Sequence, residues 1–551
     1  MTSESGGGQL HIFTAQSGAP SAKVMLDETT TRHLHSLVDP AAESSYFDGA
    51  PLWGDVVVLA GIGLGYHLGD TLRELPAHTR LLVLDYYKEC IDHCRGTVLS
   101  SLPCSREAVC ASDSPESIDD ALAWARAAPR ETVQVVRHPA SFSLHPEFYN
   151  GILERLKFSK PSGGGGADRI PRPLLLHGGF FLQEEIRGGF EKLLGERPAL
   201  FRYEDHKGAV AFESHFQRAI EDFGPDCVIS VNMKGFDGNG ALGDICARRG
   251  IPIVVWFVDD PHPILLHQRQ FVTSSMIALC WERSYRSFLN RAGFGRVDYL
   301  PLAGDPSLFR PDPDAAAGVP LGFVGSSMGG EFLRNIRSRF MWNDSLASLA
   351  EESSVELLHN PETPVDEVIA RAARNRDGSL PFKDVRNMTW LCAYVIHLAS
   401  MTRRRERIGA LLPAGIQLVG DPEGWRSLLG EEVTAHDSVD YRTELCSVYR
   451  RTGVNVNITS CQMPTAANQR VFDVPLAGGF VLNDTQDDLS ELFDPEKELV
   501  CYGSVEELKE KAAFYAAHEE ARARISAAAR ERIRARHTYE HRCRQVVRTL
   551  A

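Results

Sequence analysis

Short unbroken apolar runs alternate with amphipathic stretches over most of this chain. Such runs, rich in β-branched residues, mark strands buried on both faces, as in parallel sheets. They fall at 55–60, 81–85, 174–176, 199–203, 227–231, 251–258, 276–280 and 297–300. They return at 321–324, 416–419, 454–458, 480–482 and 499–502. Helical periodicity is expected at 183–194, 212–223 and 241–249, and again from 504 onward. Nearer the start, the pattern predicts a strand at 10–13, a helix near 31–37 and a helix ending at Leu75. Strands and helices alternating at this spacing predict an α/β fold with parallel sheets.

At 551 residues the chain is too long for one core, and three domains are expected. Residues 160–167 form a glycine-rich linker with no apolar side chain to bury. The resulting division is an N-terminal Rossmann-like domain at 1–160, a linker at 161–170, and a second α/β domain at 171–315. A third follows at 316–530, interrupted by a helix-rich insertion at 331–410, and a last helix occupies 531–551.

The stretch 454–481 carries the most chemistry. A strand is followed by a polar loop at 459–467, a helix near 468–476, the Gly478-Gly479 break and a second strand. Parallel βαβ units bind ligands at the carboxyl ends of their strands, and a helix start suits an anion. Asn468 and Arg470 stand at that helix start, and the Gly325-Ser326-Ser327 turn ends another strand of the same half. Arginine makes paired hydrogen bonds to phosphate oxygens. Asp473 is placed to accept ribose hydroxyls; alternatively, three residues from Arg470 on one helix, it simply pairs with it.

A glycine turn, Gly61, Gly63 and Gly65, follows the run at 55–60, and Asp85 stands about 20 residues on. That is the outline of a nucleotide-cofactor site; the plainer reading is that the glycines only let helix and strand pack closely. Strand-end residues of the middle domain supply candidate bases: Asp259, Asp260 and His262, then His177. The same Asp-Asp-Pro-His sequence also suits a helix cap. Asp312-Pro313-Asp314 reads as a turn in a proline-rich linker, and the arginine run at 403–407 as a solvated helix end.

The net charge of −14 argues against a general nucleic-acid binder. No apolar run is long enough to span a membrane, and the N-terminus lacks a signal-peptide pattern, so a cytoplasmic protein is expected. The twelve cysteines are scattered, which suits reduced thiols. Cys90, His93 and Cys94, with Cys104 and Cys110 beyond, lack standard zinc spacing, and no metal is expected.

The segments NQRVFDVPLAGGFVLND from Asn468, NVNIT from Asn455, LPLAGDPSLFRP from Leu300 and WFVDDPH from Trp256 resemble the CgeB-like, spore-maturation-type glycosyltransferases of GT-B architecture. The resemblance covers roughly 171–550. It implies two facing Rossmann-like domains, with a nucleotide diphosphate sugar bound by the C-terminal one and a hydroxyl acceptor presented by the other. Donor contacts are then expected from Gly325, Ser326, Ser327, Asn468, Arg470, Asp473, Gly478 and Gly479. Asp473 stands where the wider superfamily usually has a ribose-binding glutamate, and the final helix is expected to cross back to the acceptor side. No cofactor is required, because helix dipole and arginine neutralise the leaving diphosphate. The segment GIGLGYHL from Gly61 is loosely similar to Maf-type flagellin glycosyltransferases, which points towards a protein acceptor or otherwise a surface glycan. Two other readings stand: a non-catalytic sugar-nucleotide-binding scaffold, and a methyltransferase–glycosyltransferase fusion.

Overall fold

The computed structural model describes the chain except residues 1–7, 27–29, 48–51, 53, 69–71, 73–74, 77, 103–107, 113–114, 128–132, 156–169, 206–208, 239, 313–317, 340–342, 377–384, 496 and 551. Most of the glycine-rich linker therefore lies outside the described residues.

The architecture is α/β with parallel sheets, as the alternation predicts. Strands β1 (Gln9–Thr14), β2 (Pro20–Met25) and β3 (Thr31–His33) form a small antiparallel sheet. A helix is expected near 31–37, but Thr31–His33 instead pairs with β2, and the Leu34 amide donates to the Ala22 carbonyl. A polar, β-branched start gains more from that ladder than from a helix with no apolar stripe. Strands β4 (Val56–Ala60), β5 (Arg80–Leu84), β6 (Ala108–Ala111) and β7 (Val133–Arg137) form a parallel sheet in the order β6-β5-β4-β7. After β4 the chain runs through turns from Gly63 to Leu68, and most of the helix expected after them, ending at Leu75, lies outside the described residues.

Strands β8 (Pro173–His177), β9 (Ala199–Arg202), β10 (Cys227–Val231), β11 (Ile253–Phe257), β12 (Met276–Cys280) and β13 (Arg296–Tyr299) form a six-stranded sheet, order β13-β12-β11-β10-β8-β9. Strands β14 (Val319–Val324), β15 (Gln417–Val419), β16 (Ala435–His436), β17 (Thr452–Val456), β18 (Val481–Asp484) and β19 (Val500–Tyr502) form another, order β16-β15-β14-β17-β18-β19. Every recorded pair in these two sheets is parallel. Among the described residues the insertion between β14 and β15 holds four helices, Glu331–Arg339, Asp344–His359, Val365–Arg374 and Val385–Leu411, which share an apolar core with Cys461.

The chain divides into two compact units. The first holds residues 1–178, 199–230 and 234–253; the second holds 179–198, 231–233 and 254–551. In the second, the terminal helix Tyr539–Leu550 packs on the helix Gln183–Leu194 at Gly189, where a Cβ would come within 2.8 Å of Cys543 Sγ and the Tyr539 backbone.

The first unit contains a buried ionic cluster. Arg137 pairs with Glu213 at 3.5 Å and with Asp244, which also takes Arg248. Burial pushes the Glu213 carboxyl up to about 7 and the Arg137 guanidinium down to about 10, so desolvation outweighs pairing on both sides. Beside it, Gln134 donates to Ser214, and the Val135 backbone exchanges hydrogen bonds with Gln217. Arg137→Ala leaves Glu213 buried with less compensation and is expected to cost about 3–5 kcal/mol, read as a lower urea midpoint for this unit. An unchanged midpoint would mean that water reaches the cluster.

Candidate functional site

The turn after β14 is built for close approach. Gly325 has φ +152°, and a Cβ there would meet Arg470 Nη2 at 2.7 Å. The Trp425 indole donates to the Gly325 carbonyl at 3.0 Å and holds the turn in place. Ser326 is exposed, but Ser327 is fully buried, and both its amide and its hydroxyl donate to Asp421. Ser327 therefore shapes the turn and has no donor left for a ligand.

Two arginines converge here. The Arg404 and Arg470 guanidinium carbons lie 5.5 Å and 5.3 Å from the Phe323 ring centroid. Arg404 is 6% exposed and donates to the Ser326 carbonyl; Arg470 reaches Asn457 Oδ1 at 3.3 Å. The Nε atoms of both are buried without a hydrogen-bond partner, and among the described residues neither arginine has a carboxylate partner. Burial, then the neighbouring Arg470 charge, pushes Arg404 down to about 9. Arg404 is buried and Arg470 half-buried, and the Asp484 charge offsets Arg404 less than Arg470 opposes it, so the place is suited to an anion. The run at 403–407 is thus not simply a solvated helix end. Arg404 faces inward, and Arg407 pairs with Asp484 at 2.8 Å, whose carboxylate also receives the Thr459 amide and hydroxyl.

Other residues expected at a donor site are engaged elsewhere. Asn468 exchanges hydrogen bonds with Asn457, which also donates to Asn483, in a buried amide ladder. Gly478, at φ +92°, ends the helix Arg470–Ala477, and Gly479 abuts the Tyr449 carbonyl. Both precede β18, so they lie at the amino end of the sheet, opposite the turn after β14. Asp473 does not pair with Arg470. Its oxygens accept from Gln469 at 2.8 Å and Tyr441 at 3.0 Å, and it is 1% exposed. Burial pushes its carboxyl well above the usual range despite those hydrogen bonds. A ribose would reach it only by displacing Tyr441. A cavity of about 320 Å³ adjoins Phe323, lined also by Val419, His436 and Val448.

The β11 end supplies the acidic residues. Asp259 is exposed and accepts from Asn232 at 2.7 Å. Asp260 caps the helix Pro261–Gln268: its Oδ1 accepts from the His262 amide and from His262 Nδ1 at 2.7 Å. The cap and the side-chain pair are thus one device. With Nδ1 carrying the proton, Nε2 is left basic. Burial opposes protonation of His262, but the Asp260 hydrogen bond and the charges of Asp260 and Asp366 outweigh it, and its pKa is raised. His262 lines a second cavity of about 320 Å³. His177 ends β8, buried, in the first unit. Asp312 pairs with Arg450 at 3.0 Å, as a turn residue can; Asp314 lies outside the described residues.

The loop 459–467 is tied to the β12 end. Glu282, fully buried, accepts from the amides of Thr465 and Ala466 and from the Thr465 hydroxyl, and Tyr285 Oη donates to the Gln462 carbonyl. Glu282 was not among the residues expected at a site; its only local sign is its place two residues beyond a buried strand.

The glycine turn after β4 is closely packed. Asp85 is fully buried and accepts from the amides of Ile62, Gly63 and Tyr87, and burial still pushes its carboxyl up to about 6. Cβ atoms at Gly61, Gly63 and Gly65 would come within 2.7 Å of Ser141, His35 and Val98. The turn is packed against side chains, and Asp85 holds it closed instead of facing a ribose. His35, Glu43 and His138 place possible metal-ligand atoms within 4.8 Å of one another. However, the Leu64 amide donates to His35 Nε2 and the Ser141 amide to His138 Nδ1. The opposite nitrogens of both rings therefore carry protons and face Glu43, at 2.6 and 3.8 Å. Burial opposes its charge, but hydrogen bonds from the two rings hold its pKa near 2. This is a closed hydrogen-bond cluster and a poor metal site. Cys90 and Cys94 are buried free thiols.

Among the described residues, no helix is long and apolar enough to cross a membrane. No curated protein matches the sequence. Solved structures similar to this chain include sucrose-phosphate synthase from Thermosynechococcus elongatus, at 12% identity over 69% of this chain and 98% of that one, TM-score 0.42. HepE from Anabaena in complex with UDP-glucose is similar at 12% identity over 69% and 98%, TM-score 0.40. T4 phage BGT in complex with its UDP-glucose substrate is similar at 9% identity over 69% and 98%, TM-score 0.39. Residues 398–548, which include Arg404, Arg470 and most of the terminal helix, match the family described as glycosyl transferase-like.

Proposed function

We propose that this chain is a glycosyltransferase of GT-B architecture that moves a sugar from a nucleotide diphosphate to a hydroxyl. The observation that carries this reading is the pair Arg404 and Arg470, one buried and one half-buried beside Gly325 and Ser326, which among the described residues form no ion pair with an acid. A diphosphate supplies the missing charge, and its leaving as a free anion is favoured by the same two guanidinium groups. The match of 398–548 to a glycosyl transferase-like family supports it, because both arginines fall inside. The cavity against Phe323 and His436 is of a size for the nucleoside. Ribose binding by Asp473 requires Tyr441 to move aside.

On the acceptor side the base is His262, oriented by Asp260. In an inverting displacement, the acceptor hydroxyl gives its proton to His262 Nε2 as its oxygen bonds the anomeric carbon. The bond from that carbon to the phosphate oxygen breaks, and the nucleoside diphosphate leaves with the electron pair. Asp259 and His177 remain secondary candidates. The closer likeness to CgeB-like enzymes, a protein or surface-glycan acceptor and a cytoplasmic location belong to the same reading.

The test is thermal stabilisation by a panel of nucleotide diphosphate sugars, followed by donor hydrolysis. A cognate donor at 100-fold its Kd is expected to add about 2.7 kcal/mol to stability. If no nucleotide stabilises the protein, the reading falls; stabilisation without turnover or transfer favours the scaffold.

A further inference from the structure

The cavity that His262 lines has one wall from Ser284, Tyr285, Phe288 and Arg291, and the opposite wall from the corner 361–367 of the helical insertion. Ile396 and Cys461 complete it. Ile396 and Arg404 lie on the same helix, Val385–Leu411, eight residues or about 12 Å apart. One helix thus serves the cavity and the anion site, at a separation a sugar and its diphosphate can bridge. The insertion corner is acidic: Glu362, Asp366 and Glu367 face the cavity against a single cation, Arg291. Glu367 reaches Arg371 at 3.5 Å, whereas among the described residues Glu362 and Asp366 have no cationic partner. Asp366 is half-buried, close enough for its charge to act on His262.

We propose that this cavity is the acceptor site, and that Glu362 and Asp366 select a hydroxyl acceptor carrying a cationic group beside the reacting oxygen. The proposal rests on the glycosyltransferase reading and goes further, since it assigns acceptor choice to the inserted helices. An ammonium or guanidinium in the cavity meets the half-buried Asp366, where a charge pair is stronger than in bulk water, and the exposed Glu362 at the rim. A phosphorylated or carboxylated acceptor meets repulsion from the same wall. A cationic hydroxyl compound is either an amino sugar or a serine or threonine next to lysine, and two experimental arms separate these sources.

With the donor that stabilises the full-length protein most, transfer is compared between glucosamine and N-acetylglucosamine, and between a Ser-Lys peptide and its acetyl-lysine form. In one arm the cationic member is expected to be used at least 10-fold better than its acetylated partner. That ratio is expected to fall towards one in Asp366→Asn and in Glu362→Gln. Because the ratio is taken within each variant, a general loss of activity cancels. Equal use of both members, preference for the acetylated member, or a ratio that survives in both variants overturns the proposal. Donor hydrolysis with transfer to none of the four also overturns it. No donor turnover at all sinks the glycosyltransferase reading itself, which is a different failure.

Discussion

Arg404→Met is expected to weaken nucleotide diphosphate binding by at least 100-fold while leaving the unliganded protein equally or more stable. Both effects follow from the same placement. Arg404 is 6% exposed, stacked on Phe323, and opposed by the Arg470 charge more than it is offset by Asp484, and among the described residues it forms no ion pair. A hydrogen bond to a charged group contributes about 1.5–3 kcal/mol, and a guanidinium offers a diphosphate two. Losing them corresponds to roughly a 10²–10⁴-fold change in Kd. In the free protein, methionine keeps the aliphatic stem against Phe323 and removes one of two repelling charges, so the desolvation cost falls. Calorimetry with nucleoside diphosphates and a urea titration of the same variant check both halves. A variant that loses binding because it unfolds would show a lowered midpoint and would refute this account. Arg137→Ala in the other unit provides the contrast, since there the arginine answers a buried glutamate and its loss is expected to destabilise.

His262→Ala is expected to lower sugar transfer by about 10²–10⁴-fold with donor affinity unchanged, the usual range for a positioned general base. Asp260→Asn gives the sharper measurement. In the native protein Asp260 accepts the Nδ1 proton and raises the His262 pKa against burial. A base works when unprotonated, so the transfer rate rises with pH through that pKa and then levels off. Removing the Asp260 charge lowers the pKa, and the acidic limb of kcat/KM moves to lower pH. The plateau falls as well, because the asparagine no longer fixes the tautomer that leaves Nε2 basic. If the limb stays in place, the titrating group is not His262, and Asp259 becomes the candidate.

Much of the molecule was legible as pattern. The buried strands of both six-stranded sheets follow from apolar runs such as 227–231 and 276–280, which match β10 and β12 residue for residue. The helix-rich insertion was also visible, whereas the last helix, expected at 531–551, begins only at Tyr539 after a break behind Arg536. What misled was local composition. Arg403 to Arg407 looks like a charged helix end, yet Arg404 is in register with Ile396, Ser400 and Ile408 at four-residue spacing, all of them buried. That stripe is the signal that places Arg404 inside. Asp473 looked like a ligand because of its neighbours in sequence, but the residue that closes it off, Tyr441, comes from a distant loop. Asp85 and its glycines had a cofactor-like spacing. The side chains of His35 and Ser141, from either side of the turn in sequence, fill the space against them.

By itself, then, the sequence determined which segments form the buried strands of the two six-stranded sheets and where most of the helices between them lie. Those properties depend on periodicity and on backbone freedom within a few residues. Only the tertiary structure decided which charges lack partners. Whether Arg404 meets an acid, whether Asp473 meets water, and whether His262 opens on a cavity depend on residues tens to hundreds of positions away. The cost of burying a charge is set by that surrounding shell.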